Sequence, residues 1–95
     1  MSNKIQEHQT TQEEILMLYQ FLGCPFCTIA EAPIHRLGID VEYRDTIKNP
    51  QFRQELINEL GRATVPVLRI ISKDGTEKWL PESRDIVRFI EKKYG

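Results

Sequence analysis

The chain has 95 residues, room for one domain and no second, and 40% of them are hydrophobic, enough for one modest core. Thirteen basic residues against 14 acidic give a net charge of -1, which argues against a nucleic-acid-binding surface, since that requires a basic excess. No apolar run approaches the roughly 18 residues of a membrane span, and the N-terminus carries no apolar stretch of the secretory kind; the expectation is a cytoplasmic, monomeric protein with neither membrane nor nucleic acid as partner.

In chain order, residues 1–13 read as a polar N-terminal arm, and residues 14–95 as the folded domain. Ile15-Leu16-Met17-Leu18-Tyr19 is a short apolar run of the kind a buried strand shows. Cys24-Pro25 reads as a helix start, because proline suits the first helical position. That helix is expected to turn Ile29, Ala30, Ile34 and Leu37 inward and to stop at Gly38, with a kink at Pro33. Val41 to Arg44 alternates as a second strand. Asn49-Pro50 then reads as a cap followed by a first-turn proline, with Phe52, Leu56, Ile57 and Leu60 at helical spacing before Gly61. Val67 to Ile71 forms the third strand, and Asp74-Gly75 is a two-residue hairpin signal that makes Thr76 to Leu80 its antiparallel partner. Ser83 is expected to cap a last helix whose inner face is Ile86, Val87, Ile90 and Tyr94. The order is β-α-β-α-β-β-α, an α/β pattern with a crossover first and a hairpin plus helix last.

The chemistry concentrates in Cys24-Pro25-Phe26-Cys27. In a cytosolic chain a C-x-x-C beside a β-α-β pattern reads as a thiol redox site. Cys24 falls at the expected helix start, where free N–H groups and the positive end of the dipole favour a thiolate, the nucleophilic form. Cys27 lies one turn further in and is placed to attack a mixed disulfide formed at Cys24. A zinc site is the competing reading. It needs about four ligands, and beyond the two cysteines only His8 and His35 are on offer, so no metal is expected. Pro66, in Thr64-Val65-Pro66, opens a strand; the residues alone leave open whether it is a strand-edge proline or follows a cis bond.

Cys24-Pro25-Phe26-Cys27 after an apolar strand, then Gly61-Arg62-Ala63-Thr64-Val65-Pro66, then Pro81-Glu82-Ser83, together resemble a glutaredoxin over residues 15–94. The resemblance implies the thioredoxin-like fold, a four-stranded mixed sheet with helices on both faces, and a cis Val65-Pro66 bond beside Cys24. It implies glutathione as co-substrate, disulfide-containing or glutathionylated proteins as partners, Cys24 as attacking thiol and Cys27 as resolving thiol. It further implies a glutathione site made from Phe26, Arg53, Val65, Pro66, Glu82 and Ser83. Here Val65 offers its backbone to the tripeptide, Arg53 faces the glycine carboxylate, and Ser83 with Glu82 holds the γ-glutamyl end at a helix N-terminus.

Two departures stand out. Phe21 occupies the place where many single-domain glutaredoxins carry a lysine, and Pro81-Glu82 stands where they have paired glycines. Leu80-Pro81-Glu82-Ser83 is more similar to the N-terminal domain of glutathione transferases and of two-domain glutaredoxins. Their helical second domain is not expected here, the sequence ending at Gly95. Two alternatives to a glutathione-dependent thiol-disulfide oxidoreductase remain at this point. One is a thioredoxin-like reductase that ignores glutathione; the other is a non-catalytic module that binds glutathione or an iron-sulfur cluster. Asp85 reads as a dipole-compensating charge, Trp79 as sheet packing and His35 as a surface residue.

Overall fold

The computed structural model describes residues 13–95. The expected arm, apart from Glu13, lies outside the described residues, and so does His8. Seven elements follow in the expected order: β1 (Ile15–Gln20), α1 (Pro25–Leu37), β2 (Glu42–Asp45), α2 (Pro50–Leu60), β3 (Val67–Ile71), β4 (Glu77–Leu80) and α3 (Ser83–Tyr94). The strands form one mixed sheet in the order β2-β1-β3-β4. Helix α1 makes the crossover that lets β2 run parallel to β1, with Leu18 opposite Tyr43. Strand β3 is antiparallel to β1, from Ile15 opposite Ile71 to Tyr19 opposite Val67. The Asp74-Gly75 turn folds β4 back on β3. This is the thioredoxin-like architecture. No described helix is long and apolar enough to cross a membrane.

Strand alternation divides the core in two. Leu16, Leu18, Leu68 and Ile70 face one side and pack with Ala30 and Ile34 of α1 and with Ile86 and Ile90 of α3. Met17, Tyr19 and Val67 face the other side and pack with Leu56 of α2, flanked by Phe52, Leu60, Val65, Ile71 and Trp79. Helices thus cover both faces, and the strands that run down the middle, β1 and β3, are largely apolar, with Arg69 their one charged residue.

Several local expectations are corrected. The inward stripe of α1 is Cys27, Ala30, Pro33 and Ile34; Ile29, expected inside, is 50% exposed. One residue is about 100° of helical rotation, so burying Ala30 turns Ile29 outward. The end of α1 at Gly38 is as expected, with φ 66° and its N–H donating to the His35 carbonyl. Asn49 occupies the cap position of α2, but its side chain makes no capping bond; the Asn49 carbonyl accepts from the Phe52 N–H instead. The cap of α3 is Glu82, not Ser83, which is the first helical residue; again no side chain caps the helix. Strands β2 and β4 each begin one residue later than the patterns predict. Trp79 is packing, as expected, stacked on Tyr19 with centroids 5.5 Å apart.

Candidate functional site

Central strand β1 ends at Gln20, and the chain turns through Leu22 and Gly23 into α1. Gly23 has φ 91°, a conformation that side chains with a Cβ rarely adopt, so glycine fits the turn that delivers Cys24. Cys24 is the N-cap of α1, with Pro25 behind it at the first helical position. Its Sγ accepts the Cys27 N–H at 3.3 Å, satisfying one of the helix's orphan donors with sulfur in place of the usual oxygen. Its carbonyl accepts from the N–H and the hydroxyl of Thr28, at 3.1 and 3.2 Å. A thiol side chain is therefore aimed along the positive end of a thirteen-residue helix.

Both cysteines are free thiols, Cys24 5% exposed and Cys27 1%. Burial pushes the Cys27 thiol up to about 12, assisted by its hydrogen bond to Cys24 and opposed by a backbone N–H contact at Phe21. Cys27 is thus held protonated at neutral pH. One motif yields two different sulfurs: one at the helix mouth, one sealed inside.

A groove of about 560 Å³ opens beside the first turn of α1. Phe26 forms one wall, Thr64-Val65-Pro66 a second, and Pro81 to Asp85 the third. The Val65-Pro66 bond is cis, as the resemblance implies. The β1–β3 register begins only at Val67, so the Val65 backbone stays outside the ladder. The N-terminus of α3 lies in the groove through Glu82, Ser83, Arg84 and Asp85. Asp85 pairs with Arg88 at 3.4 Å.

Five of the eight expected site residues therefore line one groove: Phe26, Val65, Pro66, Glu82 and Ser83. Cys24 and Cys27 sit at the start of the helix that supplies Phe26. Arg53 does not line the groove. It lies on the exposed side of α2, next to Phe52, which packs on the same cluster as Val65. The sequence reading missed Thr64, Pro81, Arg84 and Asp85 as lining residues; their closeness to Val65, Glu82 and Ser83 was the available signal. Among the described residues no three His, Cys, Asp or Glu side chains gather to hold a metal.

A family model described as glutaredoxin matches residues 16–74, more than half of the chain. No curated protein sequence matches it. Among solved structures, glutaredoxin 2 from Salmonella typhimurium, in complex with glutathione, is 29% identical with a TM-score of 0.66, over 84% of this chain and 34% of that one. Maleylacetoacetate isomerase from Anaeromyxobacter dehalogenans, with glutathione in its active site, is 24% identical at 0.66, over 87% of this chain and 39% of that one. Glutathione transferase Omega 2S from Trametes versicolor shares the fold at 19% identity and 0.67, over 87% of this chain and 38% of its own. The chain spans under two fifths of the length of these relatives.

Proposed function

This chain belongs to the glutaredoxin family, and from that premise we propose that it is a glutathione-dependent thiol-disulfide oxidoreductase, acting on glutathionylated proteins and protein disulfides in the cytoplasm as a monomer. The observation that carries the reading is Cys24 Sγ at the N-cap of α1, with a groove opening beside the first turn of that helix. Glutathione-bound relatives of the same fold support it.

The groove suits a γ-glutamyl-cysteinyl-glycine tripeptide. Val65 keeps a backbone edge outside the sheet ladder, where the cysteine of glutathione adds as a short extra strand. The γ-glutamyl carboxylate meets the N-terminal N–H groups of α3 at Ser83, and its ammonium meets the Glu82 carboxylate. Phe26 covers the apolar middle. The glycine end runs toward α2, where Arg53 is the exposed cation beside Phe52; Phe21, in the place of the usual lysine, supplies no charge.

With a glutathionylated protein, the Cys24 thiolate attacks the glutathione sulfur. A Cys24–glutathione disulfide forms, the substrate S–S bond breaks, and the electron pair leaves on the protein sulfur, which takes a proton from water. A second glutathione thiolate then attacks the bound glutathione sulfur, releasing oxidised glutathione and the Cys24 thiolate. With a protein disulfide, Cys24 forms a mixed disulfide, and Cys27 loses its proton to attack Cys24 Sγ. The substrate dithiol departs and two glutathiones reduce the Cys24–Cys27 disulfide. The raised Cys27 thiol fits this order, because it keeps its proton until Cys24 has reacted.

The test is a glutathione-coupled assay on both substrate types. Cys24→Ser is expected to abolish turnover of both. Cys27→Ser is expected to retain turnover of a glutathionylated peptide and to lose most reduction of a protein disulfide. Alkylation at neutral pH is expected to label Cys24 well before Cys27. Turnover that survives Cys24→Ser, or equal labelling of the two thiols, defeats the assignment; activity driven by thioredoxin reductase and indifferent to glutathione favours the thioredoxin-like alternative.

A further inference from the structure

A second cleft, of about 290 Å³, counts Cys24 among its walls, as the groove does not, and the two share no lining residue. Phe21, Leu22, Glu31, His35 and Tyr43 are among its walls. Its rim is apolar and open: Leu22 is 88% exposed and Tyr43 42%. His35 Nε2 and Tyr43 Oη are 3.2 Å apart, and the rings meet edge to face at 6.2 Å, which ties α1 to β2 across the cleft. Glu31 is the cleft's single carboxylate, and it is half-buried. Among the described residues it has no cationic partner, whereas Glu14 pairs with Lys93 and Glu55 with Arg44. Its charge is felt nearby: burial first, then Glu31, raises the Tyr43 phenol, and Glu31 adds to the rise at Cys27.

We propose that this cleft receives the peptide segment flanking the target cysteine, and that Glu31 selects segments carrying lysine or arginine beside that cysteine. The inference rests on the redox reading above and names the substrate class of the same nucleophile. When Cys24 Sγ bonds to the glutathione sulfur, the departing sulfur takes the electron pair and becomes an anion before water protonates it. With glutathione in the groove, that anion emerges on the cleft side. A lone carboxylate lining the cleft raises the cost of the new charge, and a cation on the departing segment offsets both charges at once. A segment with acidic neighbours meets repulsion instead.

Two glutathionylated peptides, identical except for lysine or glutamate on both sides of the cysteine, test this with glutathione as reductant. The wild-type chain is expected to favour the lysine peptide about three- to fivefold in kcat/KM, the range of one partly exposed ion pair. Glu31→Gln brings the ratio toward one, and Glu31→Lys reverses it. Each variant is compared with itself on two peptides, so any general loss of activity cancels. A wild-type ratio of one, or a ratio that both Glu31 variants leave in place, overturns the proposal. Wild-type turnover of bis(2-hydroxyethyl) disulfide reports the redox reading separately: turnover with a ratio of one sinks the cleft alone, and no turnover of any substrate sinks both.

Discussion

The two faces of the sheet are built on different principles. On the side of α1 and α3 the buried core is apolar, with Leu18, Ala30, Leu68, Ile86 and Ile90 at 0% exposure, and the polar contacts, Arg36 with Glu91 and Tyr94 with Glu14, lie at its margin. On the side of α2, Tyr19 is just as buried yet carries a hydroxyl. That hydroxyl donates to Glu55 Oε1 at 2.6 Å and accepts from Arg44 at 3.2 Å and Arg69 at 3.3 Å. Arg44 and Arg69 pair in turn with Glu42, Glu55 and Glu77, and their guanidinium groups lie over Phe52 and Trp79, 5.0 and 4.9 Å from the ring centres. Arg69 Nε is buried with no hydrogen-bond partner among the described residues. Helix α1, which carries the two cysteines, thus rests on the dry side, where density holds it in place. The far side is held by matched charges that gain little over water but cost much when one partner is removed.

The largest expected effect is on the dry side. Ile86→Ala leaves a cavity with nothing polar to admit water, and it is expected to cost about 2–5 kcal/mol, a large part of the roughly 5–15 kcal/mol of an ordinary domain. A shift in the urea midpoint at unchanged slope measures it; a cost near zero would mean that α3 collapses freely and that the dry face is not the rigid one. Tyr19→Phe comes next. It keeps the stack on Trp79 but strips the oxygen that joins Glu55, Arg44 and Arg69, at an expected 1–3 kcal/mol or so. Equal or greater stability would show that water serves that side as well as the phenol does.

The faces also differ in which ionisation they tolerate, and near neutral pH this gives the smallest effect. On the inward stripe of α1, Cys27 stays protonated up to about 12 in the folded chain and titrates near 9.0 otherwise. The unfolded chain thus loses that proton first, and stability falls as pH rises from about 9 toward 12. Cys27→Ala is expected to flatten the start of this limb; Tyr19 and Tyr94, both raised by burial, join it at higher pH. On the charged side, the hydrogen bond from Arg69 holds the Glu77 carboxyl below its usual value. Its contribution is present above the ordinary carboxylate range and disappears as pH falls through the lowered value. Denaturation midpoints measured across pH check both limbs, and identical basic limbs in the wild type and Cys27→Ala would remove Cys27 from the comparison.

These faces were not equally legible. The apolar runs at 15–19 and 67–71, the Asp74-Gly75 turn and the proline-led helices announce the elements, because each signal is local. The two-cysteine motif, Val65-Pro66 and Glu82-Ser83 likewise mark the groove they line. Ile29 was misplaced because apolar character alone does not set helical phase; the small Ala30 and the buried Cys27 do. The Ser83 cap failed for a similar reason: residue type suggests a cap, but the helix takes up its angles one residue later. The Tyr19 network was invisible, since its members come from β1, β2, α2, β3 and β4 and no spacing links them.

The strand order leaves β2 and β4 as the outer rails of the sheet, each four residues long. Three of the four residues of β2, Glu42, Arg44 and Asp45, are charged, and β4 opens with Glu77 and Lys78. Short, charge-studded rails are poor templates for a stray strand, because docking there buries ions against ions. A protein whose proposed work is to open disulfides in other chains would meet partly unfolded polypeptide as a matter of course, and such borders let it handle that traffic without seeding fibrils of its own.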